Sequence, residues 1–168
     1  MAMADQGNAT GQSSPARDFD FTLGEWDADV TRYDPDGSVA LKAEGRWSAR
    51  ASYGGRVIED NFTQTVDGVD AAAAFTVRTY CEETKRWEMV YLWAGQRATD
   101  TIAFTGNRVG DEIHATLHRR GEDDLVVLSR IRFFEISEDG FSWENRSSVD
   151  SGVTWFPVTL LKLRRRSG

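Results

Sequence analysis

A run of alternating residues is the feature that most constrains how this chain folds. From Val39 to Ala51, small or apolar residues occupy every second position, and the positions between them from Lys42 to Arg50 are charged or polar. A period of two is the geometry of a β-strand with one face in the core and the other in water. The small residues of this run, such as Gly45, leave room on the inward face, which suits a sharp bend or a cavity.

Shorter runs of the same kind occupy most of the remaining sequence. Trp26, Ala28 and Val30 share one face of an earlier run, and turn residues such as Asp67-Gly68 separate later ones. We count roughly ten short strands and find no stretch with helical periodicity, a pattern typical of an all-β sandwich or barrel. We therefore predict one antiparallel up-and-down β-barrel domain over residues 18–168, preceded by a disordered leader over residues 1–17.

Composition limits the classes of function. Acidic residues exceed basic ones by 27 to 20, so the net charge of −7 argues against a nucleic-acid partner. Cys81 is the single cysteine, which excludes an intramolecular disulfide. Because no apolar stretch is long enough to span a bilayer and no signal-peptide core is evident, we expect a cytoplasmic protein without a membrane partner.

The chain is rich in aromatic residues, with six Trp, nine Phe and four Tyr. Two interpretations fit this abundance. Aromatic side chains favour strands and fill sheet cores, and they also line the walls of small-molecule pockets.

The segment Ser148–Trp155 predicts a β-hairpin turn between two apolar-rich runs. Asp150 can accept hydrogen bonds from backbone amides across the turn, and Gly152 can adopt the positive φ that such a loop needs. The segment matches the Asp-box pattern S-x-D-x-G-x-T-W and so resembles the hairpin motif repeated in sialidases and related propellers. A propeller needs several copies, whereas this chain has one, so the resemblance implies a structural role for Asp150, Gly152 and Trp155 and not a glycosidase activity.

A second resemblance covers nearly the whole ordered chain. Leu23-Gly24-Glu25-Trp26 and a late arginine, Arg164 or Arg165, resemble the G-x-W opening and the closing Arg of calycin barrels, where the Trp plugs one barrel end and stacks on the Arg. From this resemblance we assign structural roles to Gly24, Trp26 and Arg164.

Three further segments strengthen this resemblance: Phe19-Asp20-Phe21, Arg78-Thr79-Tyr80 followed by Lys85-Arg86-Trp87, and Phe141-Ser142-Trp143. With the G-x-W motif, they are similar to an uncharacterised family of small bacterial lipocalin-like barrels. The resemblance implies a lipocalin-like barrel of about ten strands with a small-molecule pocket, and it implies no particular reaction.

The run Arg56–Thr65 brings a carboxylate toward the interior in either register, because Glu59 and Asp60 lie on opposite faces of it. A buried charge requires a partner, and Arg78 and Arg130 on other strands are candidates. Cross-strand surface pairing is the alternative. If these groups converge inside an aromatic cup, the predicted ligand-binding residues are Trp47, Glu59, Arg78, Tyr80, Tyr91, Trp93, Arg130 and Trp143.

Three functions fit this pattern. The first is binding of a small, largely apolar and possibly aromatic molecule. The second is an isomerase or cyclase of a hydrophobic metabolite that uses a buried carboxylate, Glu59, as the general acid or base. The third is a homodimeric interaction protein, because both faces of the run Trp87–Trp93 are largely apolar.

The two histidines do not predict a metal site. His114 and His118 point to the same side of a predicted strand with Cα atoms about 13 Å apart, too far for one ion. We therefore expect no metal and no cofactor, with haem bound through an axial histidine as the open alternative.

Overall fold

The computed structural model describes residues 14–120 and 125–167. Over these residues the chain forms ten strands and four short 3₁₀ turns. The turns are Pro15–Arg17, Asp20–Thr22, Tyr53–Gly55 and Ala98–Asp100. The strands are β1 Gly24–Tyr33, β2 Val39–Ser52, β3 Val57–Val66, β4 Val69–Cys81, β5 Arg86–Trp93, β6 Ile102–Val109, β7 Glu112–Arg120, β8 Val126–Phe134, β9 Gly140–Ser148 and β10 Phe156–Arg165.

Each strand pairs antiparallel with its neighbours in sequence, and β1 also pairs with β10, which closes the barrel. The predicted fold class, an all-β antiparallel up-and-down barrel, is confirmed. Closure satisfies the backbone groups that an open sheet would leave unpaired at its edges.

Alternation along the strands decides what enters the core. In β1 and β2 the inward residues Trp26, Ala28, Val30 and Trp47 are buried, as their period of two predicts. In β4 the inward face includes polar residues, because Thr76 and Arg78 are buried while Phe75 is 40% exposed on the outer face.

The outer faces of β4 and β5 are apolar where they meet. Phe75 pairs with Leu92, and Val77 pairs with Val90, which is 46% exposed. A homodimer through this face stays a prediction, which analytical ultracentrifugation can test.

One end of the barrel, here called the closed end, is filled by the residues that precede β1. Phe19 is fully buried and makes edge contacts with Trp87 and Phe133, with ring centroids 4.9 and 5.3 Å away. Trp26 is also fully buried, and its Nε1 donates to the Thr22 carbonyl oxygen at 2.8 Å.

Arg165, and not Arg164, stacks on Trp26, with its guanidinium carbon 4.0 Å from the ring centroid. Arg164 forms an exposed ion pair with Asp29. The assignment of Arg164 to this role is therefore corrected. Side chains alternate along β10, so Arg165 lies on the same inward face as the buried Leu161 and Leu163, whereas Arg164 lies on the outward face.

Part of the predicted leader is described. Residues 14–17 include the turn Pro15–Arg17, and Trp87 Nε1 donates to the Pro15 carbonyl oxygen at 3.0 Å. Residues 1–13 lie outside the described residues. Over the ranges given above, none of the helices has the length and apolar character needed to cross a membrane.

The turn between β9 and β10 is stabilised by Asp150. Its carboxylate accepts hydrogen bonds from the Thr154 hydroxyl at 2.5 Å, from the Thr154 amide and from the Ser148 hydroxyl. These bonds lower the pKa of Asp150 to about 2. Gly152 has φ 87°, and its carbonyl oxygen accepts from Trp155 Nε1 at 2.9 Å.

Candidate functional site

A cavity of about 280 Å³ occupies the barrel interior beyond the closed end. Its side walls are mostly apolar and come from residues on six different strands: Phe62, Met89, Phe104, Leu117, Ile131 and Leu161. An apolar concave space with a few polar groups is the general form of a small-molecule site.

Trp47, Asp60, Arg78 and Phe133 form what we call the floor of the cavity. Trp47 pairs with Trp26 across β1 and β2, which places it next to the closed end. The guanidinium carbon of Arg78 lies 4.5 Å from the Phe19 ring centroid, so Arg78 separates the cavity from the aromatic plug.

Asp60 and Arg78 form a buried ion pair at the floor. The side chains are each 2% exposed, and Arg78 Nη2 donates to Asp60 Oδ2. Burial raises the pKa of Asp60 to about 6, opposed by the charge of Arg78 and by the Thr76 hydroxyl. Burial also lowers the pKa of Arg78, and Asp60 opposes that shift.

Three nitrogen atoms of the floor have no hydrogen-bond partner among the described residues: Trp47 Nε1, Arg78 Nε and Arg78 Nη1. All three atoms are buried donors, and the Arg78 guanidinium lies 5.9 Å from the Trp47 ring centroid. Most buried polar groups in folded proteins are paired, so a cluster of unpaired donors marks a site that needs an explanation.

The far side of the cavity, here called the rim, carries Arg32, Trp93, Arg119 and Asn145. Arg32 is on β1 and Arg119 on β7, so they approach from nearly opposite sides of the barrel. Arg32 Nε donates to Gln64 Oε1 at 3.0 Å, and its guanidinium carbon lies 5.9 Å from the Trp93 ring centroid. Nearby, burial raises the pKa of Tyr91.

Most of the residues that the sequence suggested for a pocket line this cavity: Trp47, Arg78, Tyr91, Trp93 and Trp143. Tyr80 points inward on β4 but lies nearer the closed end, with its ring centroid 5.9 Å from that of Trp87.

Glu59 and Arg130 do not join these residues, because both lie on the outer face. Glu59 accepts hydrogen bonds from Arg50 Nη2 at 2.6 Å and from Ser52 Oγ at 2.8 Å, and these bonds lower its pKa. The guanidinium of Arg130 stacks 3.9 Å from the ring centroid of Trp155. The prediction that Glu59, Arg78 and Arg130 converge inside the barrel is therefore wrong, since only Arg78 faces the interior.

Asp60 takes the inward place that we assigned to Glu59. The signal for it was present in the sequence, because Asp60 shares a face with Ile58 and Phe62, both of which are buried. Arg32 and Arg119 were not suggested, since each lies near the end of its strand where alternation is weak evidence.

The histidines lie outside the cavity. His114 and His118 are exposed on β7, and His114 Nε2 lies 2.7 Å from Glu112 Oε2. No histidine lines the described cavity, and the described residues contain no group of three or more potential metal ligands.

The comparisons with known proteins establish the fold. No family model matches the chain, and no curated protein matches it. Among solved structures, Rv2717c from M. tuberculosis is similar with a TM-score of 0.63 and 16% identity, over 93% of this chain and 100% of that one. A redesigned β-barrel, b11L5F_LGL, gives a TM-score of 0.47 at 13% identity over 92% of this chain and 100% of that chain. At 16% identity the likeness to Rv2717c concerns the barrel architecture alone.

Proposed function

We propose that this protein binds a small, largely apolar molecule, preferably one with a ring, inside the barrel. The observation that supports the proposal is the cavity of about 280 Å³ with its apolar walls and polar floor. This volume lies just below the usual range of ligand pockets, about 300–1,000 Å³, which suits a molecule of one or two rings. Tyr91, Trp93 and Trp143 offer flat surfaces against which a ring can pack.

A cavity-filling variant tests the proposal. Ala74 is buried and lines the cavity, whereas Ala103 is exposed on the outer face of β6. We expect binding of the bicyclic hydrocarbon tetralin to change the tryptophan fluorescence of the wild type and of Ala103→Phe, and not that of Ala74→Phe, because Trp93 and Trp143 line the cavity. Circular dichroism checks that both variants are folded. Failure of the wild type to bind, or unchanged binding by a folded Ala74→Phe, would contradict the proposal.

A second function is supported by Asp60. A carboxylate with its pKa raised to about 6 in an apolar cavity can act as a general base at neutral pH. Asp60 would remove a proton next to a substrate carbonyl, and Arg78 would stabilise the resulting enolate before the proton returns at another carbon. This isomerase hypothesis uses Asp60 in place of Glu59.

Deuterium exchange tests the isomerase hypothesis directly. The ketone α-tetralone in heavy water should exchange its α-protons faster with wild type than with Asp60→Asn, as followed by NMR. Equal exchange rates in the two proteins would exclude Asp60 as the base.

A further inference from the structure

The unpaired polar atoms at the floor are of one kind. Trp47 Nε1, Arg78 Nε and Arg78 Nη1 all donate, and none of them finds an acceptor in the described parts of the chain. Indole and guanidinium groups carry no acceptor atoms, so they cannot bond to each other, and each of these nitrogens needs an acceptor from another group. A bound molecule with an oxygen at its buried end would supply that acceptor.

Charge decides which kind of oxygen fits. Arg78 already has a carboxylate partner, because its Nη2 donates to Asp60. A second carboxylate at the floor would meet the charge of Asp60 at a buried position of low dielectric constant, where repulsion between like charges is strong. A neutral carbonyl oxygen accepts the same hydrogen bonds without that repulsion.

The shape of the floor gives the same preference. The three unpaired nitrogens are buried in the cavity wall, and Arg78 packs over the rings of Phe19, Trp47 and Phe133. An incoming group must approach the edge of the guanidinium rather than its covered face. A single carbonyl oxygen is narrower than a carboxylate and needs less movement of these rings.

We infer that the ligand is a small ring-containing molecule with a neutral carbonyl oxygen, which accepts hydrogen bonds from Trp47 Nε1 and Arg78 at the floor. This inference rests on the proposed binding function and specifies the ligand class. The carbonyl oxygen lies deep in the cavity, and the hydrocarbon part lies among Phe62, Phe104 and Ile131.

Three matched probes test the inference: tetralin without an oxygen, α-tetralone with a carbonyl, and α-naphthoate with a carboxylate. Dissociation constants are measured by fluorescence titration at pH 8, where Asp60, with its pKa of about 6, is ionised. We expect α-tetralone to bind about fivefold more tightly than tetralin, the gain of a hydrogen bond to a buried donor. We expect α-naphthoate to bind more weakly than α-tetralone.

The variant Trp47→Phe keeps an aromatic ring and removes the indole donor. We expect it to reduce the affinity ratio between α-tetralone and tetralin at least twofold. Trp155→Phe is the matched control, because Trp155 stacks on outward-facing Arg130, and it should leave the ratio unchanged.

The variant Asp60→Asn removes the negative charge and keeps the shape of the side chain. The charge of Arg78 then lacks a carboxylate, so α-naphthoate should become the tightest of the three probes. If Asp60→Asn does not fold, the inference is tested by the affinities of the three probes for the wild type and by the effect of Trp47→Phe.

The outcomes separate the two proposals. If no probe binds, the proposed function fails and the inference fails with it. If tetralin binds as tightly as α-tetralone, the binding function stands and the inference is overturned. If α-naphthoate binds wild type more tightly than α-tetralone, the ligand is an anion and the neutral carbonyl is overturned.

Discussion

The closed end and the floor of the cavity are adjacent regions built from the same kinds of side chain, and they differ in how their polar atoms are paired. At the closed end Trp26 Nε1 donates to Thr22, and Trp87 Nε1 donates to Pro15. Arg165 there donates to the carbonyl oxygens of Glu138 and Leu23. At the floor Trp47 Nε1 and two nitrogens of Arg78 have no described partner.

This difference distinguishes the floor from the closed end, although two further buried atoms, Arg132 Nε and Asn145 Oδ1, also have no described partner. The residues before β1 and between β8 and β9 supply backbone carbonyls to the closed end. Within a strand, the backbone carbonyls are used by the hydrogen bonds of the sheet itself. A tryptophan or arginine that faces the interior thus depends on other side chains or on a ligand for its acceptors. The closed end has the features of a structural plug, and the floor those of a binding surface.

The Asp60–Arg78 ion pair at the floor should give the largest difference in unfolding free energy between the floor and the closed end. Arg78→Met leaves Asp60 buried without a cation, and we expect a loss of about 3 kcal/mol in unfolding free energy at pH 8. The double variant Asp60→Asn/Arg78→Met should recover most of this loss. Arg165→Met at the closed end removes hydrogen bonds at an exposed site and should cost about 1 kcal/mol. Urea unfolding measures all three, and equal losses at Arg78 and Arg165 would remove the contrast.

The pH dependence of stability should isolate Asp60. Its pKa is raised from 3.8 to about 6 by burial, so between these values the folded state binds the proton more tightly than the unfolded chain does. The contribution of Asp60 to the free energy of unfolding is therefore highest below pH 4 and falls as the pH rises through about 6, by an amount on the order of 3 kcal/mol.

The double variant Asp60→Asn/Arg78→Met is the control for this pH effect. Arg32, Arg78, Tyr91 and Arg119 are the other arginine and tyrosine side chains that line the cavity with Asp60. The difference between wild type and double variant should thus report Asp60. The same slope in both proteins would show that the ion pair does not set it.

Trp26 and Trp47, which are neighbours across β1 and β2, should show the smallest difference in unfolding free energy between the closed end and the floor. Trp26→Phe removes an indole donor that is hydrogen-bonded, whereas Trp47→Phe removes one without a described partner. Both substitutions delete the same ring atoms, so we expect Trp26→Phe to cost about 1 kcal/mol more in unfolding free energy. If Trp47→Phe costs as much as Trp26→Phe, then Trp47 Nε1 has an acceptor in solution and the floor is satisfied by the protein itself.

The barrel could be predicted from the sequence wherever one face of a strand was plainly apolar. In β2 the alternation around Trp47 predicts the inward face, because water and core select different residues at a period of two. In β4 the alternation separates Phe75 and Val77 from Thr76 and Arg78 and does not say which pair is inside. The structure places the polar pair inside, where Asp60 partners Arg78.

The same reasoning explains why the candidate site was predicted in part. Trp47, Tyr91, Trp93 and Trp143 are large aromatics at inward positions, and the sequence suggested them on aromatic character alone. Glu59 was suggested for a place that Asp60 occupies, because a shift of one residue along a strand moves a side chain to the opposite face of the sheet.

The sequence by itself determined the strand periodicity, the turns and the all-β class, because these depend on residues near one another in the chain. Only the tertiary structure decided which carboxylate meets Arg78, which arginine covers Trp26, and that Trp47 lies beside Arg78 without an acceptor. These features depend on the register between strands and on barrel closure, which bring together residues far apart in sequence. The physical reason is that alternation specifies two faces, and pairing with neighbouring strands specifies which face is enclosed.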